Sequence, residues 1–460
     1  MQTNDMEVLN QEYKREYRRQ RRIRNQRIAM ISLIVSVLVF VGVIAGGVFI
    51  INNRMDLKQQ ETEESLVQLE GEHEAVSEEV NGENIEEMPG NTGETVESEE
   101  ETPEVQEYTD EEVLDDVVEA IISEMTLEEK VAGLFIVTPE AITDVDTAVK
   151  AGDGTKKALE KYPVGGLIYF AKNIQSEEQI KKMIENSVSY CKFPMFIAVD
   201  EEGGKVSRLA EKLSVDNVGD MADIGSTGDV TKAYEAMKTV GTYMSGFGFN
   251  LDFAPVADVL TNKKNTSIGD RAFGSDPQIV AEMVTSAMNG LEEAGVTACI
   301  KHFPGLGDAS EDTHNGLAVI DKSLEELKAT ELVPFISAIE SGANMIMVGH
   351  MSLPQVVGDN TPATMSKEVI SELLRSELGF NGVVITDAMN MGAITEYYGA
   401  DEAAIRALRA GADMVLMPEN FKTAYEGVIA AVKDGTISED RINNSLKRVF
   451  RIKYADSVGE

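Results

Sequence analysis

The residues with the clearest chemical potential lie in one stretch, 295–315, which reads GVTACIKHFPGLGDASEDTHN. It begins as an apolar segment, turns polar at Lys301 and His302, and continues into a loop that carries Asp312 and His314. Two of the four histidines in the chain are in this stretch. Reactive side chains on a loop just beyond a buried strand are typical of active sites in α/β barrels. The stretch is therefore the predicted catalytic centre.

An acidic residue outside this stretch extends this chemistry. Asp387 follows the apolar run GVVIT, and a carboxylate in that position could attack an electrophilic carbon or act as a base. Asp312 and His314 are one residue apart, so in an extended loop the carboxylate can orient the imidazole, which can then donate a proton and recover it. A nucleophilic carboxylate with a proton shuttle is the minimal set for retaining glycoside hydrolysis, although the usual second group is a carboxylic acid.

The elements that must position these residues are eight short apolar segments that alternate with amphipathic helical stretches. Their continuous apolarity predicts strands buried on both faces, and the intervening helices predict parallel crossovers. Eight such units over about 330 residues predict a (β/α)8 TIM-type barrel, with a doubly wound open sheet as the alternative. The predicted strands are 134–138, 166–170, 195–199, 251–254, 296–300, 345–348, 383–386 and 414–417.

Polar residues that directly follow these strands should converge at one end of the barrel. Each also has a plainer interpretation: Asp387 could cap a helix or pair with Lys301, and the histidines could be satisfied interior imidazoles. The residues in question are Asp200 to Glu202, Pro255, Asp258, Lys301, His302, His350, Asp387, Glu419 and Asn420.

The N-terminal quarter of the chain has a different character. Residues 1–27 carry eight Lys and Arg against four Asp and Glu, and residues 28–51 are an uncharged run of 24. Such a run is long enough to cross a bilayer as a helix, and the basic flank predicts a cytoplasmic N-terminus and an extracellular remainder. A cleaved signal peptide is the alternative. Residues 52–108 are rich in Glu and poor in large apolar residues, which predicts an acidic disordered linker before a folded domain at 109–460.

Composition excludes several classes of function. The formal net charge of -39 argues against a nucleic-acid partner, because phosphates require a basic surface. Cys191 and Cys299 are the only cysteines, and each is beside or within an apolar strand, so both are expected to be small buried hydrophobic residues and not a disulfide or a metal pair. No Cys-x-x-Cys or His-x-His pattern occurs, and four histidines are too few for a metallohydrolase barrel, so neither a metal nor another cofactor is expected.

Several motifs in order resemble the family 3 glycoside hydrolases, specifically their single-barrel β-N-acetylhexosaminidases. The resemblance spans residues 110–455, and the ordered combination is more specific than any one motif. The matching stretches are MTLEEKVAGLF, VGGLIYFAKNI, AVDEEGGKVSRL, NLDFAPVADV, IGDRAFGSDP, KHFPGLGDASEDTH and VVITDAMNMGAI.

The resemblance implies roles for individual residues. It implies that Asp387 is the nucleophile, that His314 donates and accepts the proton, and that Asp312 is the partner of His314. The residues that it implies hold the non-reducing sugar are Asp200, Arg208, Arg271, Lys301 and His302. Charged donors and acceptors in a dry pocket would make directional hydrogen bonds to sugar hydroxyls.

The chain departs from the family pattern at four positions. Leu306 and Thr313 stand where a second His and a Ser are common, and Glu201 and Lys205 replace a usual Gln and Arg. Glu201 is expected to add negative charge near Asp200 and so to influence sugar preference.

Together these features predict a membrane-anchored, extracellular, retaining exo-β-N-acetylglucosaminidase that removes terminal GlcNAc from peptidoglycan fragments. Alternatives within the family are a phosphorylase and a β-glucosidase. The second is disfavoured because the sequence ends about 40 residues after the eighth strand, with no room for a second domain that would supply an acid/base Glu. Alternatives of other classes are a lyase or aldolase with a Schiff base on Lys301, and an inactive wall-binding module.

Overall fold

A computed structural model of the chain describes residues 110–309 and 316–455. The predicted basic segment (1–27), anchor (28–51) and acidic linker (52–108) lie outside this range. Among the helices of the described residues, none is long and apolar enough to cross a membrane.

Eight strands form a single parallel sheet, and each predicted strand is confirmed. The largest difference is in the fifth, which was predicted to end at Ile300 and continues to Phe303, because Lys301 forms a parallel bridge with Val256 beyond the preceding strand. The strands are β1 Phe135–Val137, β2 Gly166–Ile168, β3 Phe196–Val199, β4 Leu251–Asp252, β5 Thr297–Phe303, β6 Met345–Val348, β7 Val383–Thr386 and β8 Val415–Leu416.

The order of the strands in the sheet is β7-β6-β5-β4-β3-β2-β1-β8. Its two edge strands also meet: Ile385 bridges Met414, and the backbone N–H of Thr386 donates to the Met414 carbonyl at 3.1 Å. The sheet is thus nearly closed into a barrel. This contact confirms the barrel prediction and rules out the doubly wound open sheet, in which the edge strands would be far apart.

Helices follow the strands and cover the outside of the sheet. Thr126 begins one of them with a capping box, in which its side chain accepts from the Glu129 N–H and the Glu129 carboxylate accepts from the Thr126 N–H. The helices are α1 Asp110–Glu124, α2 Leu127–Ala132, α3 Pro139–Thr143, α4 Asp153–Lys161, α5 Glu177–Tyr190, α6 Met221–Ser226, α7 Val230–Phe247, α8 Pro277–Glu293, α9 Leu324–Ala329, α10 Val333–Glu340, α11 Pro354–Val357, α12 Gly392–Thr395, α13 Ala400–Ala410, α14 Phe421–Lys433 and α15 Glu439–Tyr454, with a π-helix at Glu368–Glu377.

The hydrophobic core lies between the barrel and these helices. Every residue of β1, β3, β6 and β7 is buried, which explains why the strands read as unbroken apolar runs in the sequence. Burial of a Val, Leu, Ile or Phe side chain contributes roughly 1.5–3 kcal/mol. The strand ends are therefore held rigidly, and the polar residues that follow them start from fixed positions.

Two short strand pairs lie outside the barrel, next to the ends of barrel strands. Glu201–Gly203 pairs antiparallel with Val206–Ser207 directly after β3. Ala318–Val319 pairs in parallel with Met351–Ser352, which follows β6 after two residues. Both pairs extend the carboxyl-terminal end of the barrel, where the predicted site residues lie.

Candidate active site

Asp387 lies directly after β7 at the carboxyl-terminal end of the barrel. Its backbone N–H donates to the Val348 carbonyl at 2.8 Å, so the residue still follows the hydrogen bonding of the β6–β7 pair. The side chain is half-buried, and one carboxylate oxygen accepts from the Ala388 N–H at 2.7 Å. A carboxylate held by a strand end in this way has little freedom to move away from the cleft.

The surroundings of Asp387 favour its charged form. Burial raises the pKa of the carboxyl group, but attraction to His350 and His302, the Ala388 hydrogen bond and the Lys301 charge outweigh it, and the pKa lies below its ordinary value. Asp387 is therefore ionised at neutral pH, as a nucleophile must be.

His350 supports the backbone next to Asp387. The ring is fully buried, its Nε2 lies 3.0 Å from the Ala388 carbonyl, and its Nδ1 lies 2.9 Å from the Thr364 hydroxyl. Since a carbonyl only accepts, Nε2 carries the proton. His350 thus fits the plainer interpretation of a satisfied interior imidazole, and it contributes by fixing the segment that carries Asp387.

Lys301 links two acidic residues that follow β3. Its Nζ lies 2.7 Å from the Asp200 carboxylate and 2.5 Å from that of Glu202. Burial lowers the pKa of the ammonium group, but these two carboxylates more than compensate and hold it above its ordinary value. Lys301 therefore pairs with Asp200 and Glu202, and the alternative pairing with Asp387 is wrong.

Arg271 binds the same glutamate, Glu202, and so joins Lys301 and Asp200 in one charged cluster. Its Nε and Nη2 donate to the two carboxylate oxygens of Glu202 at 2.7 and 2.8 Å, a bidentate geometry that fixes the guanidinium plane. Burial raises the pKa of Glu202, but Lys301 and Arg271 outweigh it, and the pKa lies well below its ordinary range. From the sequence, Glu202 is only a strand-end residue without a predicted role. The signal was present in the DEEGG motif, but the sequence alone did not indicate which acid binds which base.

An irregularity in β5 brings two neighbouring residues to the same region. In a regular strand, Lys301 and His302 would point to opposite faces. The β5–β6 register shifts between Ile300 and Phe303, and such irregularities redirect side chains. As a result Lys301 contacts the acids after β3, while His302 contacts Asp258 after β4, with Nδ1 at 2.7 Å from the carboxylate.

Arg208 lies on the turn after the Glu201–Gly203 hairpin. Its backbone N–H is 3.4 Å from the Asp200 carbonyl, so the residue is adjacent to the cluster. Its Nε is buried and has no hydrogen-bond partner within the described chain, which is uncommon for a native guanidinium. A donor of this kind is suited to a ligand oxygen.

The expectation that Glu201 acts as an extra charge next to Asp200 needs correction. Its carboxylate accepts from the N–H groups of Leu209 and Ala210 at 2.7 and 3.0 Å and from the Tyr243 hydroxyl at 2.8 Å. Burial is the main cause that raises its pKa. Glu201 therefore supports the turn that carries Arg208 instead of lining the sugar site.

Asn420 also differs from the expectation that it faces the cleft. Its side chain accepts from the Thr423 N–H at 3.0 Å and caps α14. It is a structural residue.

Asp312 and His314 lie outside the described residues, so their predicted roles stay predictions. The described flanks of their loop are both fixed at this end of the barrel. On one side the Asn262 amide donates to the Ala309 carbonyl at 3.3 Å, and on the other Ala318–Val319 pairs with the segment after His350.

The geometry is unfavourable to Schiff-base chemistry. A lysine that attacks a carbonyl must lose its proton, whereas Lys301 is held protonated between two carboxylates. Among the described residues, no group of three or more His, Cys, Asp or Glu side chains is arranged to hold a metal ion. Both cysteines are free thiols; Cys299 is buried, as predicted, whereas Cys191 is only half-buried.

Comparison with known proteins agrees with this arrangement. A profile of the "Glycosyl hydrolase family 3 N terminal domain" matches residues 126–452. The chain is 32% identical over 326 residues to "Beta-hexosaminidase A" of Pseudoalteromonas piscicida, covering 64% of this chain and 54% of that protein. It is 35% identical over 266 residues to a "Beta-hexosaminidase" of Idiomarina loihiensis, covering 57% of this chain and 78% of that protein.

A solved structure is similar as well. The family 3 β-N-acetylglucosaminidase from Paenibacillus sp. str. FPU-7 has 38% sequence identity and a TM-score of 0.68, and the match covers 73% of this chain and 64% of that one. The chain thus spans between half and four-fifths of the length of these relatives. Because the family profile covers most of the sequence and the strand-end residues form one cluster, the chain belongs to glycosyl hydrolase family 3.

Proposed function

We propose that the protein is a retaining exo-β-N-acetylglucosaminidase in which Asp387 is the nucleophile and His314 the general acid and base. The observation that carries the proposal is the Asp387 carboxylate, which is fixed at a strand end and ionised next to two imidazoles and Lys301. The relatives named above support the substrate class.

The reaction would proceed in two displacements. An Asp387 oxygen attacks the anomeric carbon while the glycosidic bond breaks and His314 protonates the departing oxygen, which leaves a sugar ester on Asp387. His314, now unprotonated, then takes a proton from water as that water attacks the anomeric carbon and releases Asp387. The motif supports His314 in this role, and both flanks of its loop lie at the end of the barrel that carries Asp387.

The charged cluster would bind the terminal sugar. Asp200 keeps a partly exposed carboxylate, Arg208 has a buried donor without a partner in the described part of the chain, and His302 contacts Asp258 and lies near Asp387. Hydrogen bonds from fixed charged groups to sugar hydroxyls give specificity, because a sugar that lacks one hydroxyl leaves a buried group unpaired. Lys301 and Arg271 are engaged with Glu202, so their first role is to hold the acids in place.

The proposed location and natural substrate depend on the N-terminal sequence. An uncharged run at 28–51 after an arginine-rich segment supports a single-pass anchor, and the acidic stretch at 52–108 supports an extended linker outside the cell. An enzyme held there would face the cell wall, so peptidoglycan fragments with terminal GlcNAc are the proposed substrates.

The experiment compares release of p-nitrophenol from the β-GlcNAc and β-glucoside derivatives by the full chain in detergent. We expect the first substrate to be cleaved much faster. Asp387→Asn and His314→Ala should each lose most activity, the former by at least about 10³-fold, since the covalent step is removed.

Trapping identifies the nucleophile directly. A 2-deoxy-2-fluoro glycoside that forms a slow ester should label Asp387 in the wild type, as shown by peptide mass spectrometry. Faster glucoside cleavage would contradict the substrate assignment, and a rate that requires phosphate would indicate a phosphorylase. A label on another residue would overturn the proposed mechanism.

A further inference from the structure

The two ring nitrogens of His302 are in different environments. Nδ1 lies 2.7 Å from an oxygen of the Asp258 carboxylate. Nε2 has no hydrogen-bond partner within the described chain and is not among its fully buried polar atoms. One side of the ring is therefore engaged by protein, and the other is available to a ligand.

This arrangement determines which nitrogen carries the proton. An ionised carboxylate only accepts hydrogen bonds, so Nδ1 must be the donor in the contact with Asp258. In the neutral imidazole, Nε2 is then unprotonated and is an acceptor. Lys301, Arg208 and Arg271 offer only donors, so a neutral His302 adds an uncharged acceptor beside the carboxylates of Asp200 and Asp387.

Asp258 is itself held firmly. Its side chain is completely buried, and its second oxygen accepts from the Leu306 N–H at 2.5 Å. The Leu306 carbonyl in turn accepts from the Asn265 amide at 2.7 Å. A single carboxylate thus binds both the His302 ring and the backbone of the turn that follows β5.

The turn packs directly against the segment that carries Asp258. A Cβ added to Gly307 would lie 1.9 Å from the Val259 carbonyl oxygen, a distance that no side chain can occupy. Close backbone contact of this kind explains the glycine, and it keeps Leu306 within reach of Asp258.

We propose that Asp258 is a positioning residue for sugar binding: it fixes His302 as the Nδ1–H tautomer, so that Nε2 accepts a hydrogen bond from a sugar hydroxyl. It also ties the ring to the turn at 303–307. This proposal rests on the proposed function for the identity of the ligand, whereas the tautomer itself is a property of the free protein.

The tautomer is measured by ¹⁵N NMR of the histidine side chains in the full chain, which has only four histidines. Loss of one set of signals in His302→Gln assigns the ring. We expect wild-type His302 to show a protonated Nδ1 and an unprotonated Nε2 at a pH where the ring is neutral. A protonated Nε2 with a bare Nδ1 would overturn the proposal without the need for any Asp258 variant.

Asp258→Asn tests whether the Asp258 carboxylate determines the tautomer of His302. The amide oxygen cannot serve both His302 and Leu306 as well as a carboxylate does, so we expect mixed tautomers and a KM about 10-fold higher, with kcat changed less than about threefold. Asp413→Asn is the matched control, because Asp413 is an equally buried carboxylate at the opposite end of the barrel. It should leave the His302 signals and KM unchanged.

A double-mutant cycle separates positioning from general stability. In the His302→Gln background, Asp258→Asn should have little further effect on KM, since the residue acts through the ring. Fully additive effects, or an unchanged tautomer in Asp258→Asn, would overturn the proposal. If the protein proves to have no glycosidase activity, the proposed function fails, and the tautomer measurements still decide the present inference.

Discussion

Both ends of the barrel contain a buried carboxylate surrounded by cations, yet the two clusters differ in what they leave free. At the carboxyl-terminal end, Glu202 is 2% exposed and binds Lys301 and Arg271. At the amino-terminal end, Asp413 is fully buried and binds Arg375 and Arg448. The same residue types thus serve two regions of one fold.

The amino-terminal cluster is saturated by protein. The Asp413 carboxylate also accepts from the Val384 N–H at 3.0 Å and from the Ser445 hydroxyl at 2.7 Å. Arg375 in addition donates to the Phe380 and Gly382 carbonyls at 2.9 and 2.5 Å. These bonds connect α15 and the π-helix to the start of β7, so the cluster holds the barrel together.

The carboxyl-terminal cluster is only partly satisfied. The Asp200 side chain is 20% exposed, the buried Nε of Arg208 has no hydrogen-bond partner among the described residues, and Asp387 lies close by with its charge stabilised. Polar groups at this end are still able to bind a ligand, whereas those around Asp413 are paired with protein. This agrees with the usual division of α/β barrels between a functional and a stabilising face. The difference teaches that residue type alone does not distinguish the two clusters, whereas the extent of their pairing does.

The largest expected effect comes from neutralising the two central acids in parallel. Glu202→Gln and Asp413→Asn should each lower the free energy of unfolding by about 3–5 kcal/mol, because each leaves buried cations uncompensated. Only Glu202→Gln should also raise KM, since Lys301 then no longer holds Asp200 in a fixed position. Urea denaturation and steady-state kinetics measure the two quantities, and a comparable KM increase in Asp413→Asn would contradict the division between the ends.

A smaller effect concerns the pH dependence of stability. The pKa of Glu202 is lowered in the folded state from an ordinary value of 4.5, so its stabilising contribution is present above pH 4.5 and is lost as the pH falls below it. We expect the unfolding free energy of the wild type to decrease below pH 4.5 by up to about 1.4 kcal/mol per pH unit more than that of Glu202→Gln.

Glu201 should have the opposite effect on the pH dependence of stability, and it serves as the control for Glu202. Its pKa is raised by burial, so its contribution is present below pH 4.5 and is lost as the pH rises through the folded-state pKa. Glu201→Gln should therefore flatten the stability profile above pH 4.5 and leave the acidic side unchanged. Denaturation curves are measured between pH 3 and 7. If Glu201→Gln and Glu202→Gln both changed stability on the same side of pH 4.5, the opposite pKa shifts assigned to the two residues would be disproved.

The smallest expected effect is at Arg208. Arg208→Lys removes the unpaired Nε while keeping the charge, so we expect a KM about 10-fold higher from the loss of one charge-assisted hydrogen bond to the sugar. The melting temperature should hardly change, because the Nε of Arg208 has no hydrogen-bond partner among the described residues. A lower melting temperature with an unaltered KM would show that Arg208 is structural.

The sequence predicted the barrel and most of the residues at its functional end. Strands buried on both faces leave continuous apolar runs, and the polar residues that end those runs are Asp200, Lys301, His302 and Asp387. The capping box at Thr126 was equally readable, because it depends only on residues three positions apart. Asp312 and His314 stay predictions from the motif.

The sequence did not predict which of these residues bind one another. Lys301 lies 101 positions from Asp200, and its choice of Asp200 and Glu202 over Asp387 depends on how the β5 irregularity directs the side chain. The roles of Asp258, Glu202 and Glu201 were hidden for the same reason.

The sequence by itself thus determined the strands and the residues that follow them, because apolar runs and capping are local properties. Only the tertiary structure decided which carboxylates are saturated and which are open, because pairing across distant strands depends on barrel closure and register.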